Sequence, residues 1–285
     1  MTDIFDIPLR SPDGRIIESE HGQAFVLRKG EGYETCLCPI FADEGDEILP
    51  RHLSYRKLED VAGACSLIIV VGGDGTILCA ARQIHEYTVP LLGINLGTKG
   101  FMTILEPEDY ACVLQAARGE YTLSKRMKLD VSLLRGGELI CRDKALNDVV
   151  LHGYGDCIQI TARCNGNRIT SFSGDGVILS TPTGSTGYSM SAGGPIVEPN
   201  AENIILSPIC AHMIGSRSFV LGPDSVITIE MEKLHTRRAY LAVDGNNLLD
   251  LVSGDTVVVR RSESCTWMAD LGLRNFYELA FEKLR

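Results

Sequence analysis

A single aspartate among glycines, Gly72-Gly73-Asp74-Gly75-Thr76, is the first place in this sequence where residue types and spacing suggest chemistry. Ser66 to Val71 before it carry five aliphatic residues, two of them valine, and read as a buried strand. Behind it Ile77, Ala80, Ala81 and Ile84 recur at helical spacing. A strand, a turn that only small residues can make, and a helix start together present backbone N–H groups and a positive dipole end to a phosphate. Asp74 would repel that phosphate, so its place in the turn points to holding a metal or accepting a proton. An Asp-Gly hairpin is the alternative; the helical period after Thr76 speaks against it.

The second such stretch is Gly174 to Pro199, GDGVILSTPTGSTGYSMSAGGPIVEP, with six glycines and seven Ser or Thr residues in 26 positions. A solvated loop would account for part of it. Val177, Ile178 and Leu179 read as buried, however, and Thr181 to Ser191 is rich in N–H and O–H donors. No Lys or Arg occurs between Arg168 and Arg217. A pyrophosphate or ribose bound here would therefore be held by uncharged donors and by a metal ion.

The rest of the chain has to position these two stretches. Its 285 residues suffice for two domains. Up to about residue 122 the pattern alternates strand and helix. Strands are expected at 3–7, 34–40, 66–71 and 89–94, and helices at 14–29, 54–62 and 107–118, the last opening on Pro and two acids. Residues 42–52 read as an exposed acidic loop. This alternation predicts an α/β N-terminal domain with a doubly wound parallel sheet. From Lys128 to Trp267 the period shortens to alternating runs separated by turns such as Gly136-Gly137 and Gly245-Asn246-Asn247. The expected domains are 1–122 (α/β), 123–270 (predominantly β) and a helical 271–285 packing back on the first.

Composition narrows the function further. A net charge of -10 argues against a nucleic-acid or anionic-membrane partner. No apolar run approaches the roughly 20 residues of a spanning helix, and the N-terminus has no signal-peptide character. Ten scattered cysteines without a CxxC pair read as buried thiols of a reducing cytoplasm. The six histidines show no ligand spacing; only His152, close to Asn147-Asp148, merits attention. Arg82 and Lys99 lie just beyond the ligand loops, where neutralising phosphate and a plain surface role are equally open. Trp267 reads as core.

Taken together, Gly72–Gly75, the Asn147-Asp148 pair, the segment Asp175–Ile196 and the Asp244-Gly245 turn closely resemble the markers of the NAD kinase (ATP-NAD kinase) family. The segment 92–103, LGINLGTKGFMT, fits the same pattern. GGDGT alone is shared with lipid kinases, whereas the long segment is highly specific. The resemblance implies transfer of the γ-phosphate of ATP, or in some members of polyphosphate, to the 2′-hydroxyl of the adenosine ribose of NAD. By that resemblance Asp74 is the proton acceptor, and Gly72, Gly73, Gly75 and Thr76 form the phosphate loop. Asn147 and Asp148 contact the adenosine part of NAD, and Thr186, Gly187 and Tyr188 frame the adenine beside Phe101. Asp175, Ser191 and Asn246 complete the dinucleotide contacts. Mg²⁺ or another divalent cation is implied by ATP, with no dedicated protein cage, and so is a homodimer or homotetramer.

Two positions depart from the family. Its Asn-Glu is Asn147-Asp148 here, one methylene shorter, and its Thr-Ala-Tyr is Thr186-Gly187-Tyr188. Two rival readings are a diacylglycerol- or sphingosine-type lipid kinase sharing GGDGT, and a non-catalytic dinucleotide sensor. The acidic charge and the polar 174–199 stretch speak against the first, and the intact Asp74 weakens the second.

Overall fold

A computed structural model describes residues 23–29, 33–41, 55–97, 100–213 and 215–283. The strand expected at 3–7, the loop at 42–52 and Lys99 lie outside them. The chain divides into two compact units, Met1–Lys125 with Thr266–Arg285, and Arg126–Cys265.

In the first unit β1 (Gln23–Lys29) and β2 (Tyr33–Pro39) form an antiparallel hairpin. The helix expected at 14–29 is therefore corrected in its described part, which is strand. A short segment gains little from helix formation alone, whereas here β1 bonds on both sides, to β2 and to β3 (Leu67–Gly72). The short helix α1 (Leu58–Val61), followed by a 3₁₀ turn over Ala62–Ala64, leads into β3. Next come α2 (Asp74–Gln83) and β4 (Leu91–Asn95), which runs parallel to β3. A 3₁₀ turn at Pro107–Ala111 opens α3 (Cys112–Ala117), as the proline and acids predict. Every residue of β3 and β4 is buried, as in a strand covered on both faces. Leu67, Ile69, Val71, Leu92 and Ile94 pack on one face with Leu105, Val113 and Ala116.

The strand β5 (Thr122–Arg135) carries the chain into the second unit, followed by β6 (Glu138–Ala145), β7 (Asp148–Gly153), β8 (Ile158–Cys164) and β9 (Asn167–Gly174). After β10 (Gly176–Ser180) a 3₁₀ turn at Thr183–Thr186 precedes the single-turn helix α4 (Tyr188–Ser191). Then come β11 (Ile204–Ile209), β12 (Phe219–Leu221), β13 (Ile227–Met231), β14 (Ala239–Val243), β15 (Asn246–Leu251) and β16 (Thr256–Asp270). One antiparallel sheet has the order β12-β11-β10-β7-β14-β15; in the other, β16, β13, β8 and β9 are successive neighbours. Val149, Leu151, Val177 and Leu206 of the first share one core with Ile158, Ile160, Ile229 and Val257 of the second. The unit is thus a β-sandwich built on alternating burial.

The end of β16 belongs to the first unit, where Met268 pairs in parallel with Leu91, and α5 (Phe276–Lys283) closes the chain. The α/β and β-rich classes are those the sequence predicts; the hairpin adds an antiparallel edge to the parallel centre of the first sheet. Two expectations about single residues need correction. Trp267 is half-buried rather than core. Of the ten cysteines, all free thiols, Cys38 is buried, Cys210 is exposed and the others lie between. Five of them, Cys36, Cys38, Cys141, Cys164 and Cys265, sit in strands, and Cys79 and Cys112 in helices, elements whose faces differ in cover in a way the apolar runs do not reveal.

Candidate active site

The predicted residues divide between the two units: Asp74, Gly72, Gly73, Gly75, Thr76 and Phe101 in the first, and the others in the second.

In the first unit, β3 ends at Gly72, and a Cβ there would stand 2.4 Å from Thr76 Oγ1. Only glycine lets Thr76 fold back over the strand end. Gly73 is the N-cap residue of α2, and its carbonyl accepts from the N–H groups of Thr76 and Ile77 at 3.0 and 3.3 Å. Among the described residues, no atom lies within 4 Å of where a side chain would begin at Gly73 or Gly75. The turn is therefore open on that side.

The Asp74 carboxylate has an occupation the sequence did not show. Its Oδ2 accepts the N–H of Phe101 at 2.8 Å, and its Oδ1 accepts those of Met102 and Thr103 at 3.0 and 3.3 Å. The Thr103 hydroxyl adds a longer bond at 3.4 Å. Asp74 thus fixes the loop after β4. With about two acceptor sites per oxygen, Oδ2 keeps one lone pair beyond its Phe101 bond among the described residues.

The same loop is held from below. Asn95, 2% exposed, donates through Nδ2 to Gly97 O at 3.0 Å and to Glu106 Oε2 at 3.1 Å. Arg274 and Lys283 each donate to Glu106 Oε1 at 3.3 Å. Arg82 lies in the last turn of α2, half-buried.

In the second unit, Asn147 and Asp148 stand at the entry to β7. Thr181 holds this point, donating its hydroxyl to Leu146 O at 2.6 Å and its N–H to Asn147 O at 2.9 Å. A Cβ on Gly184 would fall 2.2 Å from Asn147 O, so only glycine allows the 3₁₀ turn to press so close. From the other side the Asp244 carboxylate accepts the N–H groups of Leu146, Asn147 and Asp148.

The side chains so presented lack partners. Asn147 Oδ1 and Thr183 Oγ1 are buried with no hydrogen bond among the described residues. The Asp148 side chain is 7% exposed and has none either. Burial first, and then the neighbouring charge of Asp244, push its carboxyl up to about 7. Asp148 is therefore not a surface residue.

Tyr188, 42% exposed at the start of α4, senses Tyr240, Cys210, Asp175 and Asp148 as neighbours, and its phenol is raised chiefly by burial. The charges of Asp148 and Asp175 thus both act on the Tyr188 phenol. Cys210 hydrogen-bonds the Asp175 side chain, which is the leading cause of its raised thiol pKa. Gly187 adjoins Asn147: a Cβ there would sit 3.7 Å from Asn147 Nδ2. Thr186 donates its hydroxyl to Thr183 O at 3.3 Å. Ser191 is exposed with no hydrogen bond among the described residues, and Asn246 turns its amide to Asp244 O at 3.1 Å. Neither is seen to join the cluster.

Sequence reasoning missed Tyr240, on which His152 stacks at 5.7 Å between ring centroids. It saw Asp244 only as a turn residue. The sole local signal for Asp244 is the Asp-Gly pair, which here adopts left-handed backbone at both positions.

No group of three or more His, Cys, Asp or Glu that could hold a metal ion occurs among the described residues. Among the described residues the remaining Asp74 acceptor site is a single hard oxygen donor, which suits a divalent ion that arrives on nucleotide phosphates rather than one caged by protein.

Residues 50–120 match the ATP-NAD kinase N-terminal domain, and residues 146–269 match the ATP-NAD kinase C-terminal domain. The NAD kinase of Natranaerobius thermophilus is 42% identical over 244 residues, 85% of each chain. That of Geobacter sulfurreducens is 40% identical over 243 residues, 83% of this chain and 85% of its own. Among solved structures, yeast NADH kinase complexed with NADH aligns with a TM-score of 0.73 and 29% identity, over 85% of this chain and 72% of that one. An NAD kinase from Archaeoglobus fulgidus in complex with ATP aligns with a TM-score of 0.66 and 29% identity, over 79% and 85%. With both domains matched in order and such relatives spanning most of its length, this chain belongs to the NAD kinase family.

Proposed function

We propose that the protein transfers the γ-phosphate of ATP to the 2′-hydroxyl of the adenosine ribose of NAD, giving NADP. The observation that carries this reading is the Asp74 carboxylate, fixed by three consecutive amides at the open glycine turn, with one acceptor site left over. Family membership supports it, as do the NADH and ATP named for the two solved relatives. No observation favours the lipid-kinase or sensor readings.

Phosphoryl transfer needs positioning and charge neutralisation more than covalent chemistry. Asp74 orients the acceptor hydroxyl and takes its proton as the bond to phosphorus forms. Gly72, Gly73, Gly75 and Thr76 let the phosphates approach the backbone N–H groups at the start of α2. Mg²⁺ arriving with ATP would neutralise charge on the phosphates, leaving the one remaining acceptor site of Asp74 to the ribose hydroxyl. Asn147 and Asp148 contact the adenosine part of NAD, Thr186, Gly187 and Tyr188 frame the adenine, and Asp175 and Ser191 approach the other end of the dinucleotide, with Asn246 at the margin. The working protein is a cytoplasmic homodimer or homotetramer, which sedimentation would test. Among the described residues no helix is long and apolar enough to cross a membrane.

The decisive experiment incubates the protein with ATP, Mg²⁺ and NAD and couples the product to an NADP-specific dehydrogenase. NADP formation dependent on all three is expected; its absence with correctly folded protein overturns the reading.

A further inference from the structure

Asp244 and Gly245 form the tight turn between β14 and β15, with φ of +49° and +73°. The Asp244 carboxylate faces away from that turn, toward the chain entering β7. Its Oδ2 accepts the N–H of Leu146 at 2.7 Å, and its Oδ1 accepts those of Asn147 at 2.7 Å and Asp148 at 3.0 Å. The Asp244 N–H in return donates to Asp148 O at 2.9 Å. Three successive amides converging on one anion make a nest, here filled by a side chain of the same protein.

Bonds of this length from N–H to a carboxylate are the strong, charge-assisted kind. They fix the backbone of 146–148 against nearly a hundred residues of intervening sequence. Thr181 holds two of the three, bonding the carbonyls of Leu146 and Asn147. The segment is thus saturated in its main chain and unsatisfied in its side chains, since Asn147 Oδ1 and the Asp148 carboxyl have no hydrogen-bond partner among the described residues. Unpaired buried polar groups are costly, and a fixed backbone that presents two neighbouring ones is suited to a polar ligand.

We propose that Asp244 is a positioning residue of the dinucleotide site, setting the 146–148 backbone so that Asn147 and Asp148 point at NAD. The proposal rests on reading those two residues as NAD ligands. One consequence is electrostatic. Asp148 is faced by Asp244 from the β14–β15 turn and by Tyr188 from α4, while Asp244 is also sensed by the buried Lys128 of β5. The charge of Asp244 is one cause of the raised Asp148 carboxyl, second to burial, so a site bound to both residues carries their coupling in its pH response.

The test compares the parent with Asp244→Asn, Asp244→Glu, Asp148→Asn and Asn147→Ala, measuring NAD dissociation constants from pH 6 to 9 and KM for ATP. In Asp244→Asn, Oδ1 still serves two amides, but the new NH₂ meets the Leu146 N–H, donor against donor. NAD binding should weaken by about tenfold or more, the scale of one lost charge-assisted bond, with the ATP KM unchanged. The midpoint of the pH dependence, near 7 in the parent, should move to lower pH, and in Asp148→Asn it should vanish. Asp244→Glu keeps the charge and displaces the backbone, so it should weaken NAD without moving the midpoint; it decides the matter if the Asn variant does not fold. Parent-like NAD affinity and midpoint in a folded Asp244 variant, with Asn147→Ala weakened, overturns the positioning role alone. Parent-like affinity in Asn147→Ala and Asp148→Asn overturns the reading of those residues as ligands, and the role of Asp244 with it.

Discussion

Asp148 should make the stability of this protein depend on pH in an unusual direction. An aspartate free in an unfolded chain titrates near 3.9, whereas in the fold Asp148 titrates at about 7, because it is buried and then because Asp244 lies beside it. The folded state therefore holds this proton more tightly than the unfolded one. Below about pH 4 both states are protonated and the group contributes nothing. Between about 4 and 7 the unfolded chain ionises while the fold does not, and stability falls; above 7 the full cost is present. About three pH units at roughly 1.4 kcal/mol each make that cost about 4 kcal/mol. Asp148→Asn copies the neutral form and cannot titrate. Its unfolding free energy relative to the parent should therefore rise by roughly 3 kcal/mol between pH 5 and pH 8, most of the total. Urea unfolding followed by circular dichroism, run on both proteins at several pH values, measures this gap. A gap constant to within about 1 kcal/mol over that range would refute the burial argument for Asp148.

Asp74→Asn should nearly abolish turnover in the coupled assay while NAD still binds, since the loss falls on the transition state; near-parental turnover would remove Asp74 from its proposed role. Gly184→Ala would drive a methyl into Asn147 O, now 2.2 Å from the Cβ position, and should cost about 1–3 kcal/mol of stability as overpacking against backbone. Thermal unfolding midpoints unchanged from the parent would show that the turn can yield. Tyr188→Ala should weaken NAD by about 1–3 kcal/mol, the range for stacking on a base, and calorimetry finding no change would reject its placement at the adenine.

What the sequence could and could not disclose follows from the range of the interactions. The β3–turn–α2 unit was readable because strand, glycine turn and helical period are adjacent, and α3 because Pro107 and two acids mark its start. The described part of the expected 14–29 helix became β1 because its bonds come from β2 and from β3, some forty residues on. Strand β11 escaped notice because it is buried throughout its first four residues and shows no alternation. The two carboxylates that shape the site were the least readable. Asp74 could be picked out by its glycine neighbours, yet its three amides come from 27 to 29 residues away. Those of Asp244 come from 96 to 98 away, and no local period encodes such a bond. Asp148 read only as a shortened family residue, and nothing in its neighbours foretold its burial.

The discontinuity of the first unit has a consequence for how the protein is made. A ribosome that has synthesised the chain through Cys265 has finished the second unit but not the first. The edge of β4 then still awaits Met268, leaving strand N–H and C=O groups open to wrong partners. Glu106 likewise lacks both of its cations, Arg274 and Lys283, until the final turn of helix emerges. Nascent protein, and any product of a stop codon placed after the sandwich, is therefore without the brace under the loop that Asp74 holds. The support of that loop is therefore completed only by residues made after the whole sandwich, Met268, Arg274 and Lys283.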